Sequence, residues 1–333
     1  MGEVMKKVAI LFGGNSFEHD VSIKSAKSII DNIDNSKYDI TLIYITKDNI
    51  WYLFNDNISK INDLSNCNII KIDNIIEKLN DVDTVFNIIH GNTSEDGKLQ
   101  GLFDLFNIKY VGSDLLTNAI CYDKEYTKII LNNYNIPVVD YYVIHNKKEL
   151  NNIKEIEYPV IIKPCTLGSS IGINVANNKK ELNKYVNEAF KYSNKLLIEK
   201  FIKARELECS ILNINNKLHI STIGEIKYNS LFYDYDSKYV NDSQLLIPAI
   251  LNDNISLLIK DYVKTIVKVL NIKGLSRIDF LYDEENNKVY LMEVNTIPGF
   301  TDISMYPKLL EYDKIEYKKL ISLLIEDSLK KRH

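Results

Sequence analysis

Short apolar runs of strand length, each closed by a turn signal and followed by a helical pattern, constrain this chain more than any other feature. Val8-Ala-Ile-Leu-Phe12 stops at Gly13-Gly14 and leads into a stretch where Val21, Ile29, Ile30 and Ile33 recur at helical spacing. Asp39 to Ile45 and Thr84 to Ile89 repeat the strand signal, with helix candidates between and after them. That alternation predicts a parallel α/β sheet in the N-terminal part. A second α/β block follows: a helix from Lys124 to Asn133, a strand near Val143, a strand from Tyr158 to Lys163 and a helix from Lys179 to Tyr192. From Leu196 the pattern turns antiparallel, with strands at Leu196 to Glu199, Glu208 to Asn213 and Leu218 to Ile226, a helix from Ile255 to Leu270, and strands at Leu275 to Tyr282 and Lys288 to Val294. Tyr317 to Lys331 alternates Leu and Ile with Lys and Glu at helical spacing, which predicts an amphipathic helix packed on the surface.

Composition narrows the function. Lys and Arg number 41 against 45 Asp and Glu, a net charge of −4, so no basic excess is available to neutralise a run of nucleic-acid phosphates. No apolar run reaches the roughly 18 residues of a membrane span, and Val8 to Phe12 is too short for a signal peptide. A cytoplasmic protein without nucleic-acid or membrane partners is the expectation. The cysteines at 67, 121, 165 and 209 lack CxxC spacing and read as small core residues in place of a zinc site or disulfide framework.

The chemistry concentrates near the C-terminal end. In Arg277-Ile-Asp279 and Glu293-Val-Asn295 alternate residues share a strand face, and a hairpin symmetric about Asn286 sets Asp279 opposite Glu293 and Arg277 opposite Asn295. Two carboxylates about 4 Å apart repel by roughly 4 kcal/mol at an effective dielectric of 20, so a cation between them is expected. Oxygen ligands without His or Cys favour Mg²⁺. The alternative is the solvent-facing polar side of a two-stranded ribbon. Lys163-Pro-Cys-Thr-Leu-Gly168-Ser169-Ser170-Ile-Gly172 sets a lysine at a strand end before a flexible loop able to approach phosphates, although it is not a Walker A loop and such loops are also plain connectors. Asn15 and Glu18 have the spacing of a helix capping pair, and His90-Gly91 ends a strand where open α/β sheets bind ligands. Leu231 to Asp242, rich in Tyr and Asp, reads as a lid or as a solvated connection.

Together these segments resemble the D-alanine–D-alanine ligase family of the ATP-grasp superfamily, almost end to end. The markers are Leu11-Phe-Gly-Gly-Asn-Ser-Phe-Glu-His-Asp-Val-Ser22, His90-Gly with Glu95-Asp-Gly-Lys-Leu-Gln-Gly101, Tyr110-Val-Gly-Ser113, Asp123-Lys124, Lys163-Pro to Gly172, Phe232-Tyr-Asp-Tyr-Asp-Ser-Lys-Tyr239, Arg277-Ile-Asp279, and Glu293-Val-Asn-Thr-Ile-Pro-Gly-Phe-Thr301 with Ser304-Met-Tyr-Pro307. His19, Asp20 and Asp302 depart mildly from the family pattern, and Asp302 lies near the second-substrate site.

The resemblance implies an ATP-grasp fold of three subdomains: an N-terminal α/β domain over residues 1–120, a central one over 121–200 and an α+β C-terminal one over 201–333. It implies that two D-alanines are joined through a D-alanyl phosphate at the expense of ATP, for peptidoglycan precursor synthesis. Lys124 and Lys163 would hold ATP phosphates, Glu199 the adenine amino group and Glu206 the ribose. Asp279, Glu293 and Asn295 would bind two Mg²⁺ ions, with Mn²⁺ as a substitute, and Arg277 with the Gly299 N–H would hold the tetrahedral oxyanion. Glu18 would pair with the ammonium of the first D-alanine beside His90. Ser304 would take the second substrate's carboxylate and Lys238 the γ-phosphate, while Ser169 and Tyr239 would join Glu18 in a triad closing the site. Tyr239 favours D-alanine over D-lactate as acceptor; D-serine-using relatives keep a similar loop. A homodimer is also implied.

Two other classes compete. A nicotinamide-dependent oxidoreductase lacks its third glycine after Gly13-Gly14 and leaves Arg277, Asp279, Glu293 and Asn295 without a task. A non-catalytic nucleotide-binding homologue would have lost a metal ligand or phosphate lysine, and all are present.

Overall fold

The computed structural model describes residues 4–61, 63–227 and 244–330. In chain order the first part holds β1 (Lys6–Gly13), α1 (His19–Asn32), β2 (Tyr38–Ile45), β3 (Trp51–Phe54), β4 (Ile69–Lys71), α2 (Ile75–Asn80), β5 (Thr84–Asn87), α3 (Lys98–Leu105), α4 (Leu115–Tyr122) and α5 (Lys124–Asn132). β1 pairs in parallel with β2 on one side and β5 on the other. Val8 to Phe12 are wholly buried, as a continuous apolar run between two covered faces must be. Val8, Ile10 and Phe12 pack toward α1, whereas Ala9 and Leu11 pack with Leu79, Leu99 and Phe103 on the other face.

The three strands expected from sequence are thus parallel as read, but β3 and β4 make the sheet as a whole mixed. Its order is β4-β3-β2-β1-β5, and β3 and β4 join antiparallel. A turn closed by Thr46 N–H donating to Ile50 O at 2.9 Å connects β2 to β3. It is far too short for the crossover a parallel neighbour needs.

A central antiparallel sheet has the order β6-β9-β7-β8, from β6 (Tyr141–Ile144), β7 (Val160–Pro164), β8 (Asn174–Ala176) and β9 (Leu196–Lys200), with α6 (Lys179–Ala189) against it. The third sheet runs β12-β11-β10-β13-β14, from β10 (Arg205–Ile214), β11 (Lys217–Lys227), β12 (Gln244–Leu246), β13 (Gly274–Asp283) and β14 (Lys288–Asn295). On α7 (Asp253–Val269), Ile255, Ile259, Val263 and Ile266 form the buried stripe that packs with Leu207, Cys209, Ile278 and Phe280. The four cysteines are free, three of them buried.

After α8 (Met305–Tyr312), the last helix α9 (Tyr317–Lys330) crosses back to the beginning of the chain. Leu320, Ile321, Leu324 and Ile325 are buried in one cluster with Val8, Ile10 and Phe86, and the Ser328 hydroxyl bonds that of Thr84 at 2.8 Å. The helix is amphipathic as expected, with Lys318, Lys319, Glu326 and Lys330 exposed, and its apolar stripe completes the core of the first sheet.

Gly13-Gly14 serves the turn. Gly13 has φ +91°, and a Cβ there would stand 2.3 Å from Ile45 O. Its N–H donates to Ser22 Oγ at 2.9 Å, and Ser22 Oγ–H donates to Ile88 O at 2.7 Å, which tie β1, α1 and the end of β5 together. Gly13→Ala is expected to cost more than about 2 kcal/mol, measured as a lower urea midpoint; an unchanged midpoint would contradict this account of the turn.

Candidate active site

Arg277 pairs with Asn295 and Asp279 with Glu293 across β13 and β14, the register expected from residue spacing. The route to that register differs from a symmetric turn. Closer to the hairpin end Phe280 pairs with Leu291 and Asp283 with Lys288, and a bulge leaves Met292 without a cross-strand partner. That extra residue restores the register where the charged side chains stand.

Arg277 donates to both oxygens of Asp279, Nε at 2.8 Å and Nη2 at 2.7 Å, and its Nε lies 3.0 Å from Glu208 Oε2 on the adjacent β10. Burial works against the guanidinium charge, but Asp279 and Glu208 outweigh it and hold its pKa well above the ordinary value. Lys124 Nζ stands 3.4 Å from Glu293 Oε2. The protein's own cations therefore offset the carboxylate repulsion, and repulsion alone does not call for a metal between the strands. The face is also not a solvated ribbon, since Glu208 and Asp279 are buried.

Among the described residues no three His, Cys, Asp or Glu side chains form a metal cage. Asp279, Glu293 and Asn295 nevertheless offer oxygen donors only, the set that suits Mg²⁺ when phosphates supply further ligands. Asn295 Nδ2 donates to Asp279 Oδ2 at 2.9 Å, which turns its amide oxygen away from that carboxylate.

These strands floor a cavity of about 560 Å³ lined by Glu18, His90, Glu95, Ser169, Glu208, Arg277, Glu293, Asn295, Gly299 and Ser304 among others. Eight of the residues proposed from sequence thus meet in one space, drawn from distant parts of the chain. Asp279, Lys124, Lys163, Glu199 and Glu206 lie outside its lining. Lys238 and Tyr239, with the stretch 228–243, lie outside the described residues.

Glu18 stands at the start of α1 but caps nothing with its side chain. Asn15 instead accepts from Asn92 Nδ2 at 3.0 Å and Thr93 Oγ1 at 2.9 Å, so the capping-pair reading fails. The Glu18 carboxylate accepts the Ser169 hydroxyl across 151 residues of sequence. A Cβ at Gly168 would come within 3.1 Å of Glu18 Oε2, so glycine permits this approach. Ser169 and Ser170 hold φ of +52° and +60°, a conformation that costs roughly 1–3 kcal/mol per residue and tends to mark functional loops. The Ser170 hydroxyl is buried and has no hydrogen-bond partner among the described residues.

His90 Nδ1 lies 2.9 Å from Ile297 O, and since a carbonyl only accepts, Nδ1 carries the proton. Nε2 meets Ser25 Oγ at 3.2 Å, and Ser25 Oγ accepts from Phe300 N–H, so His90 holds the segment leading to Gly299. Burial lowers its pKa, but Glu95 and Glu18 reverse the shift and leave it raised. Burial and the Glu18 charge raise the pKa of Glu95. Ser304 Oγ accepts from Thr301 N–H at 3.1 Å at the cavity edge.

Behind the Gly168–Gly172 loop, Lys124 Nζ donates to Leu167 O at 2.8 Å. Glu199, 2% exposed, is gripped by two lysines: Lys128 at 2.8 Å from Oε1, and Lys163 on Oε2. Burial raises the Glu199 pKa, but the two lysine charges overcome it and leave it lowered. A depressed carboxylate pKa stabilises the fold above the unfolded value near 4.5, and that contribution is lost as pH falls through the folded value. Glu199→Gln is therefore expected to melt at lower temperature at pH 7 and to lose less further stability below about pH 4.5 than the parent. Parallel melting curves across that range would refute it. Glu206 sits on β10, two residues from Glu208.

Sequence reasoning missed Glu208 and Lys128, and singled out Glu95 only as part of a marker. Lys128 could have been found: it follows Lys124 by four residues on α5 and so shares its face.

A family profile described as D-ala D-ala ligase N-terminus matches residues 7–113, and one described as D-ala D-ala ligase C-terminus matches residues 130–326. The chain is 41% identical over 348 residues to a D-alanine–D-alanine ligase of Caldicellulosiruptor bescii, covering 98% of this chain and 95% of that one. It is 45% identical over 336 residues to a protein of the same name from Clostridium acetobutylicum, covering 96% and 97%. Among solved structures, the VanG D-Ala:D-Ser ligase of Enterococcus faecalis matches with TM-score 0.85 at 32% identity, over 98% of this chain and all of that one. The D-alanine-D-alanine ligase of Coxiella burnetii matches with TM-score 0.82 at 29% identity, over 98% and 94%.

Proposed function

The chain belongs to the D-alanine–D-alanine ligase family, with its ATP-grasp fold, and from that premise we propose how its residues carry out the ligation. It is an ATP-dependent ligase that joins two D-alanines through a D-alanyl phosphate, releasing ADP and phosphate. The observation that supports the site assignment best is the single cavity that collects Glu18 and Ser169, the β13–β14 charged face and Gly299 with Ser304.

Each group then has a task. Lys163 and Lys124 receive the ATP phosphates, and the buried Ser170 hydroxyl, which lacks a partner among the described residues, fits a phosphate oxygen there. Glu199 and Glu206 serve the adenine and ribose side. Asp279, Glu293 and Asn295 would hold two Mg²⁺ ions, which when bound neutralise phosphate charge. Glu18 holds the ammonium of the first D-alanine, and its Ser169 contact ties that subsite to the phosphate loop. The first D-alanine's carboxylate attacks the γ-phosphate and ADP leaves. The amine of the second D-alanine, its carboxylate held by Ser304, then attacks the acyl carbonyl. Arg277 and the Gly299 N–H stabilise the oxyanion, and phosphate leaves. Tyr239 and Lys238 lie outside the described residues and keep only the roles that the family resemblance implies, Tyr239 with Glu18 and Ser169 and Lys238 toward the γ-phosphate, in a site from which water would be kept away from the acyl phosphate.

The division at residues 1–120, 121–200 and 201–333, a homodimeric state and a cytoplasmic location belong to this proposal. No helix of the described residues is long and apolar enough to cross a membrane. The test is ADP release with Mg²⁺-ATP and D-alanine, beside L-alanine, D-serine and D-lactate mixtures, with the product mass determined. ADP dependent on D-alanine alone, with the mass of D-Ala-D-Ala, is expected. Activity only with a D-serine mixture would move the assignment toward the acceptor named for the Enterococcus neighbour, and nucleotide binding without turnover would overturn the catalytic reading.

A further inference from the structure

Lys128 has no place in the chemistry above, yet it is among the most deeply buried charged residues of the protein, 2% exposed. Its Nζ lies 2.8 Å from Glu199 Oε1 and 5.6 Å from the centroid of the Tyr141 ring. It rises from α5 one turn after Lys124, whereas Lys163 reaches the other oxygen of Glu199 from β7. One buried carboxylate thus stands between two lysines, and the group as a whole keeps one positive charge.

This arrangement bears on how Lys163 can turn to a phosphate. A lysine that is the sole partner of a buried carboxylate cannot give its charge to an incoming anion without leaving that carboxylate uncompensated, which a low-dielectric interior penalises heavily. With Lys128 fixed on Oε1, Glu199 keeps a cation whichever way Lys163 turns. Burial, together with the charges of Lys163 and Lys124, pushes the Lys128 pKa down, while Glu199 supports its charged form.

We propose that Lys128 is a positioning residue for ATP binding: it is the resident counter-ion of Glu199 and thereby frees Lys163 for the nucleotide phosphates. This rests on the assignment of Lys163 to the phosphates made above. Lys128 itself touches no nucleotide; it acts through Glu199.

The test is a double-mutant cycle read by calorimetric titration with Mg²⁺-ATP, using the full chain as parent, Lys128→Met, Glu199→Gln and the double variant, with Lys128→Arg as the charge-keeping control. Lys128→Met is expected to weaken ATP binding about tenfold or more, with KM for D-alanine within about twofold, and Lys128→Arg to stay within about threefold of the parent. In the Glu199→Gln background the same Lys128→Met change should alter the Kd by less than about twofold, because no buried carboxylate then holds Lys163. An equal penalty in both backgrounds overturns the proposal, since Lys128 would then be contacting ATP or filling space. So does parental affinity in Lys128→Met, or a Lys128→Arg variant as weak as Lys128→Met. Should Lys128→Met alone fail to fold, the comparison of Glu199→Gln with the double variant decides: a tenfold gap, on the order set by such couplings, refutes the idea. A parent that does not bind ATP overturns the proposed function itself, a result distinct from all of these.

Discussion

Arg277→Ala will lower the stability of the third sheet by about 3–5 kcal/mol, the range for removing one partner of a buried ion pair. Asp279 and Glu208 are both buried, and both are held by this one guanidinium, Asp279 through two hydrogen bonds and Glu208 at 3.0 Å. Removing it leaves two like charges on adjacent strands. Arg277→Lys keeps the charge but not the planar fork, so it should recover part of the stability while turnover stays at least about a hundredfold down, as for loss of an oxyanion donor. Chemical denaturation followed by circular dichroism, beside ADP release, separates the two effects. A lysine variant with parental turnover would remove Arg277 from the oxyanion role, and an alanine variant with parental stability would contradict the clamp.

The second large effect concerns activity alone. Glu293→Gln is expected to reduce kcat by about 10²–10³-fold with little change in the melting curve. Glu293 lines the cavity with Lys124 at 3.4 Å, and glutamine keeps its size while losing its charge. Lys163→Ala should likewise lose activity and keep its fold, because Lys128 remains on Glu199 to balance the buried carboxylate. Normal turnover by Glu293→Gln or Lys163→Ala would sink the site assignment.

Much of this site was legible because strands have a period of two. Arg277 with Asp279, and Glu293 with Asn295, had to share faces, and the expected cross-strand pairs are the observed ones. The bulge at Met292 was not legible, since a one-residue insertion leaves the apolar alternation beyond it readable in either register. Glu208 was missed for a topological reason. It belongs to the site because β10 lies beside β13 in the sheet, although more than sixty residues separate the paired positions Glu208 and Asp279 in the chain.

The sequence by itself marked the longer strands and helices, since burial of alternate or every third to fourth side chain leaves its period in the residues, whereas the short β3, β4, β8 and β12 left too few residues for a period to show. It also carried the motifs that point to the ligase family. Only the tertiary structure decided what covers each apolar face: that α9 closes the first sheet, that β3 and β4 extend it antiparallel, and that Glu18 meets Ser169. It also decided which charges answer each other, Arg277 to Asp279 and Glu208, and Lys128 with Lys163 to Glu199. The physical reason is that the hydrophobic effect is non-directional: it tells a residue to be buried without naming its neighbour, whereas ion pairs and hydrogen bonds exist only at distances that the finished packing sets.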